Sequence, residues 1–238
     1  YLGAGPVAEA FLVAFSLPNM FRRIFAEGAF NTAFVPIFAK KYQSDQGAEP
    51  FAQDAFSGLA WVLMVLSVAA HFAMPWLVLA MASGFQGDER FDLAVSYGRI
   101  CFPYILFISL TALLSGVANA TGRFAAAAAA PVLLNLILIA AMGLAQWQGW
   151  PMGLVQAWAV PLAGVAQMAL LWRAAAQAGY RLRLGLPRLS PDVRRLIAVA
   201  GPAVLAGGVM QVNLLVGRQV ASYHDGAIAW LSNADRLY

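Results

Sequence analysis

The stretch Leu17-Pro18-Asn19-Met20-Phe21-Arg22-Arg23-Ile24-Phe25-Ala26-Glu27-Gly28-Ala29-Phe30 decides how this chain is read. It lies within an apolar segment running from about Val7 to Ala39, so two arginines and a carboxylate fall where hydrocarbon is expected. A charge at the centre of a bilayer costs at least about 2.5–3.5 kcal/mol, so such residues face a protein interior or a water-filled cavity and carry function. At about 100° per residue, Glu9, Ser16, Asn19, Arg23, Glu27 and Asn31 share an arc of roughly 120°, with apolar side chains over most of the remainder. Arg22 points about 100° away from Arg23, so the two cations make different contacts. Pro18 removes a backbone donor and disfavours helical geometry at Leu17, which predicts a kink or break there. A half-helix beginning at Pro18-Asn19 would present its positive end, with both arginines, to an anionic group.

Working outward, the composition says that the whole chain is built for a membrane. Of its 238 residues 61% are hydrophobic and 11% charged, against roughly a quarter charged in a soluble domain. The fold class is therefore all-α, a polytopic transmembrane helix bundle. One cysteine, Cys101, excludes an internal disulfide framework and a cysteine-based zinc site. His71 and His224 lie too far apart for metal-ligand spacing, so no metal or cofactor is expected. His71, without an acidic partner in its segment, reads as a satisfied core histidine. The net charge of +4 is dispersed among apolar spans and implies membrane placement, with no nucleic-acid partner. No Gly-rich phosphate loop, Ser/His/Asp set or paired-carboxylate site supports an enzyme. The chain opens at Tyr1 and stops at Tyr238 within a new apolar segment, so both ends read as truncations.

After the first segment, apolar runs span about Phe51 to Met81, Phe91 to Ala120, Pro131 to Gln146, Met152 to Ala176 and Leu196 to Ala221. About six full membrane helices and the start of a seventh are expected. Pro103 should kink the third segment, and Ala125 to Ala130 reads as a small-residue packing surface. Loops after the first, third and fifth segments hold Lys40, Lys41, Arg123, Arg173, Arg181, Arg183, Arg188, Arg194 and Arg195, whereas the alternate loops hold only Arg90. That bias puts the loops after residues 40, 122 and 180 in the cytoplasm. Arg99 and Arg218, near the outer ends of their segments, are expected to snorkel.

The decisive stretch, continuing to Phe34-Val35-Pro36-Ile37, resembles the signature of the MurJ/MviN family of lipid II flippases, with every charged position matched. Phe102-Pro103-Tyr104-Ile105, Gly201-Pro202-Ala203 and Ala234-Asp235-Arg236-Leu237 follow in the family's order. The resemblance spans the chain but not the whole family protein. It implies an N-terminal lobe over residues 1–178, a basic cytoplasmic linker over 179–195 and the start of a second lobe over 196–238. It also implies a multi-pass protein of the bacterial inner membrane that moves lipid II by alternating access, with membrane lipids and the cell-wall synthesis machinery as partners.

In the light of the resemblance, Arg22, Arg23, Glu27 and Asn19 are candidates for binding a phosphate-bearing headgroup, a task suited to the bidentate guanidinium. Glu9 joins them, although the family often has Asp at the matching place, and the resemblance makes Arg236 a cavity arginine of the opposite lobe. The ordinary alternatives are an i+4 ion pair between Arg23 and Glu27 and a local pair between Asp235 and Arg236 at the membrane edge. Rival functions are a related exporter of polysaccharide-linked lipid or drugs, a membrane enzyme acting on polyprenyl-phosphate substrates, and a scaffold without transport.

Overall fold

The computed structural model describes residues 5–23 and 31–234. Among these the regular elements are helices: α1 (Pro6–Arg22), α2 (Asn31–Gln43), α3 (Ala48–Met81), α4 (Glu89–Cys101), α5 (Tyr104–Ala120), α6 (Phe124–Gln148), α7 (Met152–Gln177), α8 (Pro191–Ala221) and α9 (Ala227–Ala234). Five stretches are long and apolar enough to cross a membrane: α3, α4 with α5, α6, α7 and α8. The first apolar segment, expected as one long element, supplies the two shorter helices α1 and α2.

Two expectations about proline need correction. Pro18 does not break the first helix but lies buried inside α1, which continues to Arg22. Around it, Ser16 Oγ donates to the Leu12 carbonyl at 2.5 Å and Asn19 Nδ2 to the Phe15 carbonyl at 3.1 Å, so both polar side chains are satisfied within the helix. Pro131 likewise does not open its helix, because α6 already starts at Phe124 and takes in the alanine run. Pro103 behaves as expected, falling at the interruption between α4 and α5.

The bundle has two apolar cores, set toward opposite ends. One gathers Val13 and Leu17 of α1, Met74 and Val78 of α3, Tyr97 of α4 and Val160 of α7. The other gathers Phe34 and Phe38 of α2, Phe51 of α3, Leu113 and Val117 of α5 and Leu171 of α7. Glycine allows the closest helix approaches, since a Cβ on Gly164 of α7 would lie 2.7 Å from Tyr104 Cδ2. Buried amides join α7 to α6: Gln167 Nε2 donates to the Ala130 carbonyl at 2.7 Å, and Gln156 Nε2 to the Leu138 carbonyl at 3.1 Å. Polar groups of this kind hold membrane helices together because lipid offers them no other partner.

The outward faces of α6 and α8 stay apolar and exposed, with Leu136, Ile139, Leu205 and Val209 standing clear of the bundle. A bilayer solvates such a surface at no cost, so these helices need little burial against protein. His71, expected in the core, is exposed on α3, where its carbonyl accepts a hydrogen bond from Arg99 Nε at 3.2 Å.

Candidate functional site

A cavity of about 470 Å³ opens between α1 and the pair α8 and α9. From α1 it is lined by Ser16, Asn19, Arg22 and Arg23, with Leu12 and Phe15 as apolar wall; α8 adds Gln211, Leu214 and Arg218, and α9 adds Ser232. Three of the four predicted side chains that can be placed, Asn19, Arg22 and Arg23, therefore meet in one space. Glu27 and Arg236 lie outside the described residues. Arg22 Nε donates to Asn19 Oδ1 at 3.3 Å, while Asn19 itself is tied to the Phe15 carbonyl. Asn19 thus orients the half-buried Arg22 from the helix backbone, whereas Arg23 is exposed.

Arg218 was expected to snorkel, and here the structure differs: its side chain lines the cavity with the α1 arginines. The signal was present in the sequence, since Gln211, Leu214 and Arg218 recur at helical spacing on one face of α8. The charged side chains among the described lining residues are thus three arginines. A cavity so lined suits a multiply charged anion, and the guanidinium fork favours phosphate oxygens.

Glu9 does not join this cavity. It lies 13 positions before Arg22 on α1, about 20 Å along the axis at 1.5 Å per residue. Its side chain is 2% exposed and pairs through Oε2 with Arg90 Nη1 at 3.0 Å. Its other oxygen accepts the backbone N–H of Ile228, the second residue of α9, at 3.2 Å. Arg90 also pairs with Asp225 at 3.0 Å and with Asp88, and it stands over the Phe85 ring at 4.6 Å. The hydrogen bond from Arg90 holds the Asp88 carboxyl below the usual carboxylate range. Beside this cluster, the Ser83 N–H donates to Gln219 Oε1 at 3.1 Å and the Gly84 N–H to Ser222 Oγ at 3.0 Å. Gly84 is required there, because a Cβ would fall 2.5 Å from the Ser222 backbone. The start of α1 and the connection between α3 and α4 are thereby stitched to the end of α8 and the start of α9. Sequence reasoning missed this cluster because its members are 81 and 219 positions apart and no local pattern marks them.

Fold and site together define a class: a polytopic helical membrane protein with an arginine-lined cavity between two groups of helices. The chain belongs to the lipid II flippase MurJ family, whose model matches residues 1–238. It is 45% identical over 244 residues to a probable lipid II flippase MurJ of Rhizobium meliloti, covering 100% of this chain and 46% of that protein. It is 43% identical over 244 residues to the lipid II flippase MurJ of Burkholderia cenocepacia, covering 99% and 47%. The chain thus spans about half the length of the curated relatives it matches. A solved structure titled lipid II flippase MurJ, inward closed conformation, superposes with a TM-score of 0.81 at 21% identity, over 100% of this chain and 49% of that one. At that identity the superposition establishes the shared fold.

Proposed function

We propose that this chain is part of a flippase that carries lipid II, a polyprenyl-diphosphate-linked disaccharide peptide, across the bacterial inner membrane for cell-wall synthesis. The observation that carries the reading is the cavity in which Arg22, Arg23 and Arg218 converge from two groups of helices. Their guanidinium groups would hold the diphosphate, with Asn19 orienting Arg22 and the lipid tail remaining in the bilayer. Glu27 and Arg236 are proposed for the same site from the family resemblance. Membership of a family named for flipping lipid II supports transport over an enzyme or a scaffold. Residues 1–178 would form one lobe, 179–195 a linker and 196–238 the opening of a second lobe. Rocking of the lobes about the cavity would expose it alternately to each side. The direct test is rescue of bacteria depleted of their own flippase by the full-length protein, with labelled lipid II appearing in the outer leaflet; survival without that appearance would sink the transport reading.

Orientation is proposed from the same charges that set the loop bias. Cysteines introduced at Lys41, Arg123 and Arg183 are expected to react only from the cytoplasm, and those at Gly87, Gln148 and Asp225 only from outside. Labelling of Gln148→Cys from the inside alone would overturn the arrangement. In this orientation the Glu9–Arg90–Asp225 cluster would lie at the outer end, and contact with the synthesis machinery would be made on the exposed loops.

A further inference from the structure

Between α7 and α8 the chain runs as a strap without regular secondary structure, and its backbone is pinned to one face of α3. Gln53 Oε1 accepts the Arg183 N–H at 2.9 Å, Ser57 Oγ accepts the Gly185 N–H at 3.1 Å, and Trp61 Nε1 donates to the Gly185 carbonyl at 2.9 Å. Leu182 is buried beneath it, and beyond its far end Asp192 of α8 pairs with Lys41 of α2 at 2.9 Å. The strap is therefore held at fixed height on the bundle. That height is the membrane boundary. The polar start of α3, Ala48 to Ser57, gives way at Gly58 to a run reaching Met81 in which Ser67 and His71 are the polar side chains. Trp61 at this transition, with Trp172 near the end of α7, is placed as interfacial tryptophans are.

What the strap shows outward is unusual for a linker. Leu184, Leu186 and Leu189 are 58%, 80% and 64% exposed, and they alternate with exposed Arg181, Arg183 and Arg188. Leucines so exposed in water would be an apolar patch without a partner, while arginines at the same height in hydrocarbon would be costly. Both are satisfied in one place, the headgroup and upper acyl region of a leaflet that contains anionic lipid. We propose that residues 181–189 form a binding surface for anionic phospholipid, with the leucines entering the leaflet and the arginines engaging lipid phosphates. The proposal rests on the orientation above only for which leaflet is bound.

The test uses full-length protein in nanodiscs, with a fluorophore on Leu186→Cys in a background where Cys101 and every other cysteine are replaced by alanine. Quenching by spin-labelled phosphatidylglycerol is compared with quenching by spin-labelled phosphatidylcholine. Each arginine at an anionic surface is worth roughly a fivefold factor in binding, so phosphatidylglycerol is expected to be enriched at least about threefold beside the label. The enrichment should fall toward unity in Arg181→Gln/Arg183→Gln/Arg188→Gln and in high salt. A fluorophore on Leu136→Cys, on the lipid-facing side of α6, should show no preference. Equal quenching by both lipids at Leu186→Cys would overturn the charge-specific contact, and absence of quenching by either would place the strap in water or under protein. The readout needs neither lipid II nor transport, so its failure and that of the flippase reading are separately visible.

Discussion

Arg23→Glu is expected to abolish outward movement of labelled lipid II by the reconstituted full-length protein, while leaving membrane insertion and yield unchanged. Arg23 is exposed toward the cavity at the end of α1, so the substitution disturbs no core and acts on the ligand. Charge-assisted hydrogen bonds contribute about 1.5–3 kcal/mol each, which corresponds to roughly 10- to 150-fold in headgroup affinity for the loss of one. Reversal adds repulsion to that loss, so at least about a hundredfold decrease is expected. Arg23→Lys should be impaired more mildly, because lysine retains the charge but not the planar fork. Arg218→Gln should fall in the same range, since that residue reaches the cavity from the opposite group of helices. Undiminished transport by Arg23→Ala would refute the headgroup role, and undiminished transport by Arg218→Gln would confine the site to α1.

The second large effect is expected at the far end of α1. Arg90→Met should strip a carboxylate that is 2% exposed of its guanidinium partner. Breaking a buried pair from one side costs about 3–5 kcal/mol, which for a chain of this size is roughly a 10 °C fall in the unfolding temperature in detergent. Glu9→Gln combined with Arg90→Met should recover part of that fall, because no buried charge is then left alone. The single substitution should also loosen the seam against α9 and raise the reactivity of a cysteine at Ile228, since the carboxylate that holds the Ile228 N–H loses its anchor. A double variant no more stable than Arg90→Met would show that the two groups are not coupled. An unchanged melting temperature for Arg90→Met would show that the cluster does not stabilise this end of the bundle.

These two expectations concern one helix, and the sequence prepared only the first of them. A cation within an apolar run is a local statement, because the cost of placing it in hydrocarbon does not depend on what packs nearby. For that reason Arg22, Arg23 and Asn19 could be singled out from α1 alone, as could the all-helical membrane fold, the interruption at Pro103 and the segment order. Glu9 shares their helix and their polar arc, yet its partners come from α4 and from the start of α9. Periodicity gives the direction in which a side chain leaves its helix but not the height of the neighbour it will meet. Arg218 shows the same limit in reverse: only the packing of α8 beside α1 turns a residue read as an edge cation into the third arginine of the cavity. Pro18 stays within α1, where it is buried in the packed bundle, a tertiary setting that propensity does not encode. What the sequence by itself determined was the solvent, the order of the apolar segments and the residues too costly to leave in lipid, since each is fixed by transfer free energy along the chain. Which of those residues share a space, and which instead join the ends of helices, was decided by tertiary structure, because ion pairs form between groups that folding brings within about 4 Å.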